Sequence, residues 1–358
     1  MKSKGIKALL GVIVCFIGVS TAVKAQHGYF YTGKNYGSEA AFSPLTQILN
    51  GGFDMIETAD KSNYVADFHL GNGFRKVFYS LVHPREAIDQ IGWKKFAESE
   101  LIPFGFSKTS NQWIPNYGLH FIGGGMEYAR LIDFYDYHGV KSPRVVAFFT
   151  ALTDQLFNEA VEHNKKPWLS YDAVSDIYFF DIPGMILFSF EPVQRFFSQD
   201  LVLRSWLSQA AYVPTNQSLQ NVGQYYSLKW KPSILKNTSV FWYLGSGWLF
   251  GGGYDHKGYT YSLGIGTITE EVIIVDNKTK QENITSKPSV GFFVDKNNSL
   301  MASIIFVGSK KYDENIKIEI FPGVIKTKKI KVGVWTNISF YNRSYMGITF
   351  GWMPSLGF

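Results

Sequence analysis

The sequence predicts an α+β chain, in which an N-terminal and middle helical domain is followed by an antiparallel transmembrane β-barrel of about eight strands or more. Apolar residues recur at helical spacing from Pro84 to about Tyr212, and at every second position from Asn221 onward. The second region contains eight such stretches, an even number, as single-chain membrane barrels prefer. Aromatic residues at 17% and 34 glycines suit aromatic girdles and a glycine-lined inner face.

Residues 1–25 have the pattern of a cleaved signal peptide. Three lysines form a basic start, Ala8–Val19 is apolar, and small residues precede a predicted cleavage near Ala25. The apolar run is too short to span a bilayer, which takes about 20 residues. We therefore expect an exported protein whose leader is removed.

Charge and cysteine content exclude several partners and kinds of site. The full chain has 35 basic and 29 acidic residues, but removal of residues 1–25 takes away four lysines and leaves 31 against 29. The basic balance therefore comes mostly from the leader, and no nucleic-acid partner is expected. Cys15 is the single cysteine and lies in the leader. The mature chain is thus expected to have no disulfide, thiolate metal site or cysteine nucleophile.

Residues 26–83 are predicted to be an extended N-terminal segment, because Gly, Asn and Tyr are frequent there and periodicity is weak. Residues 84–215 form the predicted helical domain. The clearest helix start is Ser142-Pro143, with Ser as the N-cap and Pro at the first helical position. The predicted helices open at Pro84 and then cover Asn116–Tyr137, Pro143–His163, Tyr171–Phe190 and Glu191–Ala211.

Residues 221–358 form the predicted β domain. Isoleucines at every second position around Lys317 and Glu319 predict an apolar exterior and a polar interior. The predicted strands are Gln224–Lys231, Thr238–Leu249, Lys257–Asp276, Glu282–Val294, Ser299–Gly308, Glu314–Gly323, Lys329–Tyr341 and Ser344–Phe358.

Two alternatives stay open for this domain. A soluble antiparallel sandwich packed on the helices would show a similar alternation. An eight-stranded barrel is filled by its own side chains. The helices would then lie beneath the barrel in the periplasm, or early segments such as Tyr64–Val82 would add strands and widen the lumen.

Polar side chains form stripes on three of the predicted helices. Buried carboxylates are costly unless paired, so the stripes should face one another or water. We favour a structural hydrogen-bonded network, and no metal or cofactor is expected. Gly123-Gly124-Gly125 costs about 1 kcal/mol per Gly relative to Ala, which requires close approach of another helix or a bend. The predicted network comprises Asn116, His120, Glu127, Asp154, Asn158, Glu162, Asp172 and Asp176.

Some of these side chains are also candidates for a metal or acid–base centre. Glu159-x-x-Glu162-His163 is one residue away from the His-x-x-Glu-His arrangement of inverted zinc peptidases, and Glu at the first position removes a preferred zinc ligand. No Gly-x-Ser-x-Gly, phosphate-loop or dinucleotide motif is present. The candidate site residues are His120, Glu159, Glu162, His163 and Asp176.

The final strand, Ser344–Phe358, alternates apolar residues with small or polar ones and ends on an aromatic residue. It looks like the last strand of Gram-negative outer-membrane β-barrel proteins. That resemblance implies an outer-membrane location, contact with outer-membrane lipid, recognition by the barrel-insertion machinery and envelope protein partners. The residues that carry it are Phe358, Leu356, Trp352 and Phe350.

A second resemblance covers Trp113–Leu187. The order Asn116-Tyr117-x-x-His120, then Asn158-Glu159-x-x-Glu162, then Ser170-x-Asp172-x-x-x-Asp176 is similar to uncharacterised outer-membrane barrel families. Those families carry an Asn-Tyr-x-x-His helix, a Glu-bearing helix and a Ser-x-x-Asp stretch. We therefore predict a non-enzymatic scaffold, accessory subunit or narrow channel of the cell envelope. The alternative is a membrane-associated hydrolase acting on lipid or envelope substrate through the candidate site.

Overall fold

The structure is a computed structural model that describes residues 28–58, 61–103, 114–164, 166, 169–276, 281–311, 314–326, 331–351 and 353–358. The predicted leader, residues 1–25, and Trp352 of the final strand lie outside the described residues. Within the described part, helices and a β-sheet make an α+β protein, as predicted. The chain divides into a helical unit (Met1–Thr32, His69–Gln194 and Asp276–Gln281) and a sheet unit (Gly33–Phe68, Arg195–Val275 and Glu282–Phe358).

The helices lie in both units. In chain order they are α1 Gly37–Ala40, α2 Pro44–Gly51, α3 Leu70–Val82, α4 Pro84–Asp89, α5 Trp93–Phe96, α6 Gly125–Tyr137, α7 Pro143–His163, α8 Tyr171–Ser175, α9 Ile182–Leu187 and α10 Glu191–Arg195. Short 3₁₀ turns cover Asp54–Glu57 and Val65–Asp67. Wider π-helical segments cover Ala97–Leu101, Ile114–Gly124, Asp176–Asp181 and Phe196–Asp200.

Three sequence predictions about these helices are wrong in detail. In the described part of the segment 26–83 the chain is not extended throughout, since it contains α1, α2 and α3. The buried residues of α3 include Gly73, Val77 and Ser80, which are spaced as on one face of a helix. A Cβ on Gly73 would meet the backbone of α7, so the two helices pack closely there. Ser142 precedes α7 with φ 59°, and its side chain makes no capping hydrogen bond. The helix predicted over Glu191–Ala211 ends at Asp200, and strands follow.

The sheet has 13 strands within the described residues and is mixed, not purely antiparallel, because β13 pairs with β2 in parallel. Its order is β1-β4-β5-β6-β7-β8-β9-β10-β11-β12-β13-β2-β3, so the strand pairing has two ends and is not a closed ring. The strands are β1 Arg204–Ser205, β2 Ala211–Val213, β3 Ser218–Gln220, β4 Tyr226–Trp230, β5 Thr238–Leu244, β6 Gly247–His256, β7 Tyr259–Asp276, β8 Gln281–Lys296, β9 Ser299–Val307, β10 Ile316–Lys326, β11 Lys331–Ile338, β12 Tyr345–Phe350 and β13 Ser355–Gly357.

Two predicted strands are each split in the structure. The predicted strand Thr238–Leu249 breaks at Gly245-Ser246, so that β5 and β6 form a hairpin. The predicted final strand breaks at Gly351, whose φ of 60° suits glycine and turns the chain back on itself. Its two halves, β12 and β13, then pair antiparallel. The larger strand count follows from these breaks and from the early strands β1, β2 and β3.

The alternation of the two sheet faces is confirmed. In β10, Lys317 and Glu319 are buried while the isoleucines between them are half-buried. On other strands Phe250, Ile265 and Phe292 are 46%, 61% and 46% exposed. One face of the sheet is therefore aromatic and aliphatic and open to the surroundings, whereas the enclosed face carries much of the charge.

The enclosed face of the sheet unit packs on an aromatic cluster and on the early segment Gly33–Phe68. Trp206, Phe241 and Phe293 are buried and lie within 6.0 Å of one another, ring to ring. Asn50 on α2 donates to the carbonyl of Ser208 (3.1 Å) and accepts from the backbone N–H of Gly223 (2.9 Å). The early segment is thereby hydrogen-bonded to the inner side of its own unit.

Among the described helices, no single one has both the length and the apolar character needed to cross a membrane. The pair Tyr171–Leu187 and Glu191–Asp200, bent by 88°, meets the length and composition test only when the two are taken together.

Candidate acid–histidine site

Seven ionisable side chains of the helical unit come together from three segments of the chain. They are supplied by the π-helical segment Ile114–Gly124, by the end of α7, and by α8 with the π-helical segment that follows it. We call this group the acid–histidine cluster. Its members are His120, Glu159, Glu162, His163, Asp172, Asp176 and Asp181. All five predicted candidate residues, His120, Glu159, Glu162, His163 and Asp176, are therefore in it.

His120 lies between two carboxylates. Its Nδ1 is 3.1 Å from Asp181 Oδ1, and its Nε2 is 3.5 Å from Asp176 Oδ2. Asp176 and Asp181 open and close one π-helical segment. Hydrogen bonds in a π-helix join residues five apart, which brings positions i and i+5 close together. This local geometry lets both carboxylates face one imidazole.

Glycines allow the two helices that carry these groups to approach. A Cβ on Gly125 would lie 2.6 Å from the carbonyl oxygen of Gly184, and a Cβ on Gly184 would lie 2.2 Å from that of Phe121. Such distances are too short for any other residue type. The expectation that Gly123-Gly124-Gly125 reflects close approach of another helix is confirmed at Gly125.

Glu159 and His163 form a second part of the cluster, and Ser170 contacts both. Glu159 Oε2 is 3.6 Å from His163 Nδ1, and Ser170 Oγ is 3.3 Å from the same nitrogen. Ser170 also accepts from the N–H of Ala173 at 2.9 Å, as the N-cap of α8. A serine nucleophile needs one imidazole nitrogen while the acid binds the other. Here both contact Nδ1, so the arrangement is not a serine hydrolase triad.

The third part of the cluster contains the side chains best suited to hold a metal. Glu162, His163 and Asp172 each offer one ligand atom, and these atoms lie within 4.8 Å of one another. Lys166 Nζ lies 2.6 Å from Glu162 Oε1 and brings a positive charge to this side. His163 is buried, whereas Glu162 and Asp172 are partly accessible.

Several buried oxygens of the cluster lack a donor. Glu159 Oε1, Asp176 Oδ1 and Asp181 Oδ2 are inaccessible and accept no hydrogen bond from the described residues. A buried polar atom without a partner costs about 1–3 kcal/mol. Three such atoms lie in this one cluster, so hydrogen bonds within the described residues leave part of it unsatisfied.

Burial raises the carboxyl pKa values here. The pKa of Asp176 is raised to about 7 by burial, against the opposing effect of His120. Burial also raises the pKa values of Glu159 and Asp172 well above the usual range, and that of Asp181 to a lesser degree. Burial works against the charge on His120, but Asp176 and Asp181 prevail and lift its pKa well above the ordinary value. The two carboxyl groups therefore favour the protonated form of His120.

The other residues of the predicted network lie on the π-helical segment Ile114–Gly124, on α6 and on α7. The Asn116 amide donates to the carbonyl of Glu100 at 2.8 Å. Glu127 on α6 lies 3.7 Å from Arg130. Asp154 is buried on α7, and Asn158 precedes Glu159 on the same helix.

Asp181 and Ser170 were not among the candidate site residues from the sequence. The signal for Asp181 was a single acid in an otherwise apolar run, Ile177–Met185. The signal for Ser170 was its position before a helix, which predicts a cap and does not distinguish it from other caps.

Comparison of the chain with family models, with curated proteins and with solved structures finds no match in any of the three. The functional interpretation therefore depends on the geometry of the two units.

Proposed function

We propose that the protein is a signal-peptide-cleaved outer-membrane β-barrel, and that it serves the envelope as a non-enzymatic scaffold or accessory subunit. The observation that carries this proposal is the distribution of side chains on the sheet, with charged residues on the enclosed face and apolar residues on the exposed face. Lys229, Lys317 and Glu319 are buried on one face, while the other carries large exposed apolar side chains such as Phe250, Ile265 and Phe292. In water an exposed aromatic belt of this size is unfavourable, whereas in lipid it is what a spanning sheet requires.

Hydrogen bonding at the two ends of the strand order supports closure into a barrel. β1 pairs with β4, and β2 pairs with β3, so Arg204–Val213 and Ser218–Ser227 run side by side as one hairpin. Between the paired ends, the Trp206 N–H donates to the Tyr225 carbonyl at 2.7 Å. The other edge of β2 carries β13. The first and last members of the sheet thus lie on one hairpin, which leaves few free edges for a membrane to penalise.

The early segment Gly33–Phe68 favours a scaffold over an open channel. Its residues hydrogen-bond to the enclosed face, for example from the Glu39 N–H to Ser299 Oγ at 3.1 Å. Glu57 accepts from the Tyr225 hydroxyl at 2.8 Å and from Lys317 at 3.3 Å. A cavity of about 390 Å³ remains beside this segment, lined in part by Glu57 and Arg343. A barrel whose interior is occupied by this segment is expected to conduct no steady current.

The chain end supports assembly through the barrel-insertion machinery. The Phe358 N–H donates to the carbonyl of Met346 at 2.8 Å, so the last residue is held against β12. Leu356 and Phe358 are 50% and 58% exposed on the apolar face. An aromatic end held in the sheet with its ring outward suits recognition in the membrane.

The test is assembly in Gram-negative cells. We expect the protein in the outer-membrane fraction, with a gel mobility that changes on heating, as closed barrels show. Phe358→Asp should strongly reduce the heat-modifiable fraction. Phe340→Asp is the matched control, because Phe340 is equally exposed (64%) but lies after β11, outside the paired strands. Planar-bilayer recording should show no conductance steps.

Recovery of the unaltered protein as soluble periplasmic material without a heat shift would exclude the barrel. Regular conductance steps would instead favour the narrow channel. Neither outcome would change what is concluded about the acid–histidine cluster of the helical unit.

A second candidate function is that of a membrane-associated hydrolase acting on lipid or envelope substrate. The observation favouring it is the convergence of His120, Glu159, Asp176 and Asp181. The purified protein would be assayed on phospholipid and ester substrates in mixed micelles, with His120→Asn against the exposed His138→Asn. Turnover that is lost in the first variant and kept in the second supports a hydrolase. Absence of turnover by the unaltered protein excludes activity on those substrates.

A further inference from the structure

We propose that the helical unit binds one divalent transition-metal ion, with Glu162, His163 and Asp172 as protein ligands. One ligand atom from each residue lies within 4.8 Å of the other two. Glu162 and His163 are adjacent at the end of α7, and Asp172 is on α8. This inference goes beyond the scaffold role and does not depend on the barrel.

Glu159 provides an independent indication of a bound cation. It is 1% exposed, and its Oε2 lies 3.6 Å from His163 Nδ1 and 3.5 Å from Ser170 Oγ. Its other oxygen, Oε1, is inaccessible and accepts no hydrogen bond from any residue in the described part of the chain. A water bound to the metal would donate to such an oxygen, as carboxylates near metal sites commonly require.

The acids around the site support the same conclusion. Glu159, Asp176 and Asp181 belong to the same cluster as the proposed ligands, and Lys166 Nζ lies 2.6 Å from Glu162 Oε1. Buried carboxyl groups need pairing or metal coordination, which favours a cation in this cluster.

The ligand set selects among metals. One imidazole with two carboxylates suits Zn²⁺, Mn²⁺ or Fe²⁺, whereas Ca²⁺ and Mg²⁺ prefer oxygen ligands alone. Hydrogen bonds from neighbouring residues also fix the backbone next to the ligands. Ser170 caps α8 two residues before Asp172, and its own N–H donates to Ser80 Oγ at 3.0 Å. Lys76 donates to the carbonyl of His163 at 3.3 Å. Supported ligands of this kind favour specific binding.

The experiment is a calorimetric titration of the full chain in detergent after chelator treatment, with Zn²⁺ and Mn²⁺ as probes. We expect one equivalent to bind in the unaltered protein, with equal concentrations of Ca²⁺ or Mg²⁺ failing to compete. His163→Asn and Asp172→Asn should each weaken binding at least about tenfold. The matched controls His138→Asn and Asp89→Asn lie on the surface of the same unit and should bind as the unaltered protein does.

Glu162→Gln guards against loss of folding, because Glu162 is partly accessible at 14% of its side-chain surface. It should keep the helical circular dichroism and still weaken zinc binding at least about tenfold. Binding should also release protons when followed in two buffers of different ionisation heat, since the ligands must be deprotonated. No saturable binding by the unaltered protein, or full binding by a folded Glu162→Gln, would overturn the proposal.

Discussion

Lys229 and Asp295 in the sheet unit and Glu159 and Asp176 in the helical unit are all buried, but their surroundings differ. Lys229 Nζ lies 2.9 Å from both oxygens of Asp295, and the Asn298 amide oxygen takes a further hydrogen bond at 2.8 Å. In the helical unit, Glu159 and Asp176 each have one buried oxygen without a donor among the described residues. Lys229 and Asp295 thus complete each other's pairing, whereas the two carboxyl groups of the helical cluster do not complete theirs within the described residues.

Glu319 extends the comparison. It is buried in β10, accepting from the N–H of Gln209 at 2.8 Å and from the Asn221 amide at 3.0 Å. Its partners come from the strand–turn region before β4 and are set by the fold. The acids of the helical unit instead crowd against one another, because π-helical turns and glycine contacts bring three segments together. The fold of the sheet unit therefore supplies the donors that Glu319 needs, while in the helical cluster burial and the neighbouring acids raise the carboxyl pKa values.

The largest expected effect comes from breaking a completed pair. Lys229→Ala would leave Asp295 as an unpaired buried charge and should destabilise the sheet unit by about 3–5 kcal/mol. The control is Lys231→Ala, whose partner Asp255 is 35% exposed, and which should cost about 1 kcal/mol or less. Denaturant unfolding of the detergent-solubilised protein measures both. If both variants lost the same unfolding free energy, the Lys229–Asp295 pair would not be more deeply buried than the Lys231–Asp255 pair.

The second effect is a pH dependence at Glu57, on the turn Asp54–Glu57. Burial raises its pKa to about 8, although Lys317 opposes this. A carboxyl with a raised pKa holds its proton more tightly in the folded state. Its contribution to stability is therefore greatest below about pH 4.5 and is lost as the pH rises through about 8. The slope should approach about 1.4 kcal/mol per pH unit in that window. Glu57→Gln should flatten the curve of unfolding free energy against pH.

The third effect tests how the helical cluster is assembled. Gly184→Ala would place a methyl group against the Phe121 backbone and should cost about 1–3 kcal/mol through overpacking. It should also separate His120 from Asp176. Gly71→Ala in α3 meets no atom within 4 Å and should be neutral or slightly stabilising. Thermal unfolding followed by circular dichroism compares the two, and equal melting temperatures would argue against close helix contact.

The smallest expected effect is a gain in stability, whereas the changes above lower it. It tests most directly whether Glu159 differs from the paired charges of the sheet unit. Glu159→Gln removes a buried carboxyl group that lies among other acids and should stabilise the metal-free protein by about 1 kcal/mol. Glu98→Gln, on an exposed residue, should change stability little. A clear loss of stability in Glu159→Gln would place Glu159 with the completed pairs of the sheet interior.

The alternation in β10 could be predicted from the sequence because it is local. Successive side chains of a strand point to opposite faces, so Lys317 and Glu319 share a face in any sheet that contains this strand. The same holds for Met346, Phe350 and Leu356 near the chain end, which are exposed on one face although a turn interrupts the strand. The acid–histidine stripes could likewise be read as helix faces.

Convergence of those stripes required long-range packing. His120 and Asp181 are 61 residues apart in sequence, and their contact depends on π-helical turns and on the absence of a Cβ at Gly125 and Gly184. Helical periodicity assumes 3.6 residues per turn, so it does not predict that Asp176 and Asp181 share a face. The position of the early segment Gly33–Phe68 likewise could not be predicted from periodicity, since its hydrogen-bond partners lie on strands distant in sequence. Local side-chain direction follows from the order of residues along the chain, whereas the meeting of distant segments depends on how closely their backbones can pack.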